Sequence, residues 1–163
     1  MVDDLIINVE SLFGRLEKHR PFQGTRHVSL RLGEAIVDGP MDVSGNVVGT
    51  LDGVQAEFSA RAMATMVCVR CLKRWSDEVT ARGSQHFSAI PDEDGYVVKE
   101  GQIDVGAPAM DELALSLPAA PVCEKDCRGL CPICGTDLNS DPCDGHGDDS
   151  DSPFAVLKDL FDS

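Results

Sequence analysis

Six of the seven cysteines fall into three close pairs, Cys68-Val-Arg-Cys71, Cys123-Glu-Lys-Asp-Cys127 and Cys131-Pro-Ile-Cys134, and the seventh, Cys143, stands just ahead of His146. Two thiolates separated by two or three residues can turn inward from one tight loop, which is the bite a tetrahedral Zn²⁺ requires. Eight soft donors in four pairs suffice for two closed, structural zinc sites. Any fold of this chain must therefore bring residues 68–71 together with residues far along the chain, or close each pair on a neighbour.

At 163 residues there is room for one domain plus a small metal-bound lobe. No apolar run approaches the length of a membrane span, so a soluble protein with no membrane partner is expected. The segment Met1-Val-Asp-Asp-Leu-Ile-Ile-Asn8 is acidic where a signal peptide is basic, which points to the cytoplasm. In that reducing compartment paired thiols read as metal ligands before they read as disulfides, and an odd count fits a fully bridged framework badly. The net charge of -14 is unevenly placed: residues 1–90 hold 10 Lys+Arg against 11 Asp+Glu, and residues 91–163 hold 4 against 17. A polyanion is repelled by the second half, so nucleic-acid contacts must come from the first, and basic proteins suit the second.

Residues 41–87 read as antiparallel sheet. Val54, Ala56, Phe58, Ala60, Ala62, Ala64 and Met66 share one face; Gln55, Glu57, Ser59, Arg61 and Thr65 share the other, with Met63 and Val67 as apolar exceptions. Asp52-Gly53 predicts a two-residue turn with positive φ between a strand over 41–51 and one over 54–67. Trp75, Val79, Ala81 and Phe87 mark a third strand, which places the first Cys-x-x-Cys at a hairpin tip. Residues 5–9 and 28–32 look like short strands. Residues 10–21 carry Leu12, Phe13 and Leu16 at helical spacing before Pro21 ends the run. A polar connection covers 91–95, a helix is predicted over 109–117, and Ser152-Pro153 starts a short C-terminal helix bearing Phe154, Leu157, Leu160 and Phe161. The expected fold is α+β, a curved antiparallel sheet with a few short helices and a zinc-bound, cysteine-rich C-terminal lobe. Residues 1–105 form the sheet part with a short N-terminal helix. Residues 106–163 form the helix, the lobe and a C-terminal helix packed on the sheet.

Gly129-Leu-Cys-Pro-Ile-Cys-Gly135 has the character of a zinc knuckle, and Cys143 and His146 lie within range to complete a Cys₃His site with Cys131 and Cys134. Cys68, Cys71, Cys123 and Cys127 would then form a Cys₄ site. A competing partition joins Cys68 and Cys71 to Cys131 and Cys134 in one ribbon-like site, and spacing alone leaves both open. Redox chemistry is disfavoured because Cys68 and Cys71 join two antiparallel strands instead of opening a helix after a parallel one. Catalytic zinc is disfavoured by all-thiolate ligation and the lack of any HExxH pattern, so no enzyme activity and no small-molecule substrate are expected. His19, His27 and His86 read as surface residues, and the acidic run 148–151 lacks calcium-loop spacing.

Arg61, Arg70, Lys73, Arg74 and Arg82 gather around the first Cys-x-x-Cys, with Trp75 beside them. They could converge on one nucleic-acid-binding patch that grips phosphates, or they could be solvated charges on a sheet face.

At these residues the chain resembles the YceD family of large ribosomal RNA subunit accumulation proteins. The matching pieces are Cys68-Val-Arg-Cys-Leu72, Glu112-Leu-Ala-Leu-Ser-Leu-Pro118, the block 121–139 with Cys131-Pro-Ile-Cys-Gly-Thr-Asp-Leu-Asn139, and Pro153-Phe-Ala-Val-Leu157. The resemblance implies a cytoplasmic, non-enzymatic factor for accumulation of large-subunit (23S) rRNA and for 50S assembly, with an rRNA precursor or basic ribosomal proteins as partners. Relatives with a full cysteine set often close their last motif with Cys-x-Cys, where this chain carries Cys143-Asp-Gly-His146. A zinc-stabilised protein-interaction module outside ribosome biogenesis, for example one acting in transcription, is the alternative.

Overall fold

The computed structural model describes residues 5–16, 18–90, 95–143 and 145–146. The chain opens with strand β1 (Ile6–Asn8) and a 3-10 turn (Glu10–Leu12). It then runs through β2 (His19–Leu32), β3 (Ala35–Gly49), β4 (Gly53–Val67) and β5 (Arg74–Ser88), followed by β6 (Gln102–Asp104) and α1 (Gly106–Ser116). The four long strands form an antiparallel meander in the order β2-β3-β4-β5, and β1 pairs with β6 in a separate two-stranded ribbon.

The alternation read in the sequence is realised in full on β4, where Val54, Ala56, Phe58, Ala60, Ala62, Ala64 and Met66 are all buried. Their cross-strand neighbours include Val43, Val47, Ala81 and Phe87, also buried. One face of the sheet is thus apolar and the other solvated, as an antiparallel sheet permits. Helix α1 lies on the apolar face, mainly against β5, with Ala109, Leu113 and the following Leu117 buried. Close approach there requires Gly83: a Cβ would come 2.7 Å from the Phe58 ring and 2.8 Å from Glu112 Cγ. The helix starts at Gly106, three residues before its expected position. Asp104 Oδ1 accepts the Gly106 N–H at 2.9 Å, and the Arg26 guanidinium grips the same carboxylate at 2.6 and 3.1 Å. These contacts tie β2 to the helix start.

Three expectations need correction. The helix over 10–21 is reduced to a 3-10 turn, because Gly14 adopts a left-handed φ of 65° that ends it, and residues 19–32 continue as strand. Pro21 sits in that strand without penalty since β2 is a sheet edge. The β3–β4 turn is centred on Leu51-Asp52: the Thr50 N–H donates to the Gly53 carbonyl at 3.0 Å. Gly53 has no left-handed φ; it is glycine because a Cβ would overlap the Phe87 carbonyl. The sheet is not strongly curled. Its single register shift, between Val37 and Met41 on β3, is too isolated to bend the whole sheet. The predicted C-terminal helix, the acidic run 148–151 and most of the connection 91–95 lie outside the described residues.

Beyond the tip of the β4–β5 hairpin a second, smaller cluster of buried side chains contains Cys68, Cys71 and Cys127, with Val122, Cys123 and Leu130 against it. Trp75 packs against both this cluster and the sheet core. It is the hinge-pin between them.

Candidate metal centres

Six residues at the hairpin tip and six at the second Cys-x-x-Cys fold identically. In Cys68-Val-Arg-Cys-Leu-Lys73 the Cys68 N–H donates to the Lys73 carbonyl at 2.9 Å and the Leu72 N–H to the Cys68 carbonyl at 2.9 Å. In Cys131-Pro-Ile-Cys-Gly-Thr136 the corresponding bonds run from Cys131 to Thr136 at 2.8 Å and from Gly135 to Cys131 at 2.9 Å. The fifth residue of each is left-handed, Leu72 at φ 60° and Gly135 at φ 74°. This backbone turns both sulfurs of each pair to one side and points N–H groups at the first. Arg70 and Cys71 donate to Cys68 Sγ at 3.4 and 3.5 Å.

Each knuckle meets a second pair. Cys68, Cys71, Cys123 and Cys127 form one group and Cys131, Cys134, Cys143 and His146 another, with the donor atoms of each within 4.8 Å of one another. This is the Cys₄ plus Cys₃His partition; the ribbon-like alternative of Cys68/Cys71 with Cys131/Cys134 is not the one formed. In the first group Cys68 and Cys127 sulfurs are 3.8 Å apart and those of Cys71 and Cys123 are 3.6 Å apart. In the second, Cys134–Cys143 is 3.8 Å and Cys131–Cys143 is 3.7 Å. A tetrahedron with metal–sulfur bonds of about 2.3 Å has edges of about 3.8 Å. The sulfurs thus stand at coordination spacing, far beyond disulfide bonding distance, and the cysteines are all free thiols. His146 Nε2 is 3.3 Å from Cys131 Sγ and 3.0 Å from Cys143 Sγ, a little inside the same polyhedron. Both groups could hold a metal ion.

The electrostatics favour a cation. Burial opposes ionisation of Cys68, but the backbone N–H groups of Cys123, Cys71 and Arg70 bring its pKa down to about 6. Cys134 is brought to about 6 by the Thr136 hydroxyl and backbone N–H. Cys123 is pushed up to about 12, first by burial and then by the neighbouring thiols. In each group a thiol favoured as the thiolate thus stands beside one, Cys123 in the first and Cys143 in the second, whose ionisation is opposed, a conflict that a central divalent ion would relieve. The first group is largely buried, whereas in the second Cys134 and His146 are exposed.

Sequence reasoning missed the residues that hold the two groups together. The Arg70 guanidinium donates to the Cys127 carbonyl at 3.0 Å and the Lys125 carbonyl at 3.4 Å. Asn139 Nδ2 donates to Cys127 Sγ at 3.5 Å while its Oδ1 accepts the Arg128 N–H at 2.8 Å. Asp137 Oδ1 in turn receives the Asn139 N–H and Nδ2. The signal for Asn139 in the sequence is its place a few residues beyond the second knuckle, at the end of the block that carries the family resemblance.

The basic residues fall in two places, Arg61 and Arg82 as diagonal neighbours on the solvated face and Arg70, Lys73 and Arg74 at or beside the hairpin tip. Arg61, Arg74 and Arg82 share the solvated face, but Arg74 and Arg82 lie eight positions apart on β5, about 26 Å at strand rise. Arg61 stands opposite Asp42 and Thr80, and Arg82 opposite Ser59. Arg70 is committed to the carbonyls named above, which leaves exposed Lys73 and Arg74 at the tip.

No described helix is long and apolar enough to cross a membrane. No solved structure matches the chain significantly. An uncharacterized protein of Mycobacterium tuberculosis is 36% identical over 116 residues, covering 65% of this chain and 54% of that relative. An uncharacterized protein of Mycobacterium leprae is 33% identical over 132 residues, covering 75% and 59%. The chain thus spans somewhat more than half the length of these relatives. The family described as "Large ribosomal RNA subunit accumulation protein YceD" matches residues 56–161, a span that contains all eight clustered donors. With that match over most of its length, the chain belongs to the YceD family.

Proposed function

We propose that this protein is a cytoplasmic, non-enzymatic accessory factor for accumulation of large-subunit (23S) rRNA and for 50S assembly, with structural zinc in both cysteine groups. The observation that carries the proposal is the family match over residues 56–161, whose description names large-subunit RNA accumulation and whose span includes both groups. Zinc is favoured by the donor sets: S₄ and S₃N at tetrahedral spacing suit it over the harder divalent ions, and both sets use four protein donors, the closed arrangement of structural sites.

The charge distribution divides the partners. Lys73 and Arg74 at the tip, with Arg61 and Arg82 along the solvated face, would contact phosphates of an rRNA precursor. The second half, with 4 Lys+Arg against 17 Asp+Glu, would hold a basic ribosomal protein. The test is co-sedimentation of a tagged full-length chain with large-subunit precursors, alongside rRNA quantification in cells depleted of the protein. Depletion should lower 23S relative to 16S rRNA, and K73E/R74E should lose the precursor particles. Unchanged rRNA on depletion, or a pull-down dominated by RNA polymerase, would overturn the proposal in favour of an interaction module acting in transcription.

A further inference from the structure

The two donor groups are linked through Arg70 and Asn139. Arg70 is held in the first group by its own N–H on Cys68 Sγ and by its guanidinium on the Cys127 carbonyl. Its carbonyl accepts the N–H of Leu130 at 3.0 Å, and Leu130 directly precedes Cys131 of the second group. Gly129 lies flat against the same carbonyl: its φ is 79°, and a Cβ there would sit 3.0 Å from Arg70 O. From the other side, Asn139, between Cys134 and Cys143 in sequence, reaches back to a sulfur of the first group, Cys127. The backbone around it is pinned by Leu138 N–H on the Gly129 carbonyl at 3.0 Å. Apart from the Leu130–Asp137 bridge, the described residues of the second group belong to no strand or helix.

Resting on the metal-binding reading above, we propose that the two sites load in order and cooperatively. The Cys₄ site fills first because β4 and β5 already hold two of its ligands. Closing it fixes Arg70, Gly129 and Leu130 and leaves the Cys127 thiolate as the acceptor for Asn139, which pre-forms the Cys₃His site. Asn139 is the positioning residue of this coupling. A hydrogen bond to a metal-bound thiolate is charge-assisted, and such outer partners typically change metal affinity about 10–100-fold. Linkage makes the effect reciprocal: a metal in the second site tightens the first by the same factor.

The experiment is a Co²⁺ titration of the reduced, metal-free full chain, followed by the absorption bands that distinguish S₄ from S₃N coordination. The wild type should show the S₄ spectrum before the S₃N spectrum. C123S/C127S, which keeps every ligand of the second site, should bind there at least about 10-fold more weakly than the wild type. N139D keeps the acceptor for Arg128 but faces the Cys127 thiolate with a carboxylate; it should retain the S₄ spectrum and sheet circular dichroism while losing second-site affinity by a similar factor. Wild-type second-site affinity in either variant, or S₃N bands appearing first, would overturn the coupling. Failure of the wild type to bind Co²⁺ at all would instead overturn the metal reading beneath it.

Discussion

Stripping metal from the reduced protein with a zinc chelator should unfold residues 121–146 and spare the sheet. Ordering those residues costs about 26 kcal/mol at about 1 kcal/mol of backbone entropy each. Against this stand the part-buried Val122 and Leu130, together about 3 kcal/mol. Backbone hydrogen bonds such as Val69 to Pro121, Leu130 to Arg70, Cys131 to Thr136 and Leu138 to Gly129 contribute about 1 kcal/mol each, roughly 8 kcal/mol for the segment. A deficit of about 15 kcal/mol remains. Metal bound at the two sites, with an apparent contribution of about 10–16 kcal/mol per structural zinc, is what covers that deficit, and without it the lobe opens. The sheet has its own buried core, from Val28 on β2 to Phe87 on β5, and needs neither. Trp75, the only tryptophan, touches both clusters, so its emission should shift to the red as the lobe opens. Amide exchange should accelerate by orders of magnitude over 121–146 and stay slow in β3 and β4. Unchanged emission and retained protection over 121–146 in the chelated protein would refute the reasoning.

Tyr96, the only tyrosine, donates to Asp111 on α1, and its pKa is raised from 10 to about 12, first by burial and then by that hydrogen bond. Its contribution to stability is therefore intact below about pH 10 and disappears as pH climbs through about 12; tyrosinate absorbance should titrate accordingly, and D111N should lower the midpoint. G83A must displace the Phe58 ring and the α1 side chain Glu112, and should cost about 1–3 kcal/mol in denaturant unfolding of the sheet. G129A combines a left-handed φ with a Cβ 3.0 Å from Arg70 O. It should cost about 1–2 kcal/mol or more from the backbone conformation, read as weakened metal binding in the second group with the sheet melting unchanged.

The sheet was legible wherever apolar and polar residues alternate, because period-two patterning over 54–66 leaves little choice of face. The position of Cys68 and Cys71 at a hairpin tip followed from the same pattern. The N-terminal stretch misled because Leu12, Phe13 and Leu16 mimic a helical stripe while Gly14, between them, breaks it. The ligand partition was not legible: it depends on Leu130 docking on the Arg70 carbonyl, a contact between residues 60 positions apart. The same holds for the basic residues. Parity placed Arg61, Arg74 and Arg82 on one face, but only the register sets Asp42 beside Arg61, and only the packed lobe shows the Arg70 guanidinium committed to Cys127.

The most direct test of two structural metal sites is native mass spectrometry of the full chain purified under reducing conditions, paired with thiol alkylation before and after denaturation in chelator. Two zinc ions per chain are predicted, with the seven cysteines protected in the native protein and all seven modified afterwards. A metal-free native mass with seven thiols that alkylate readily would contradict it.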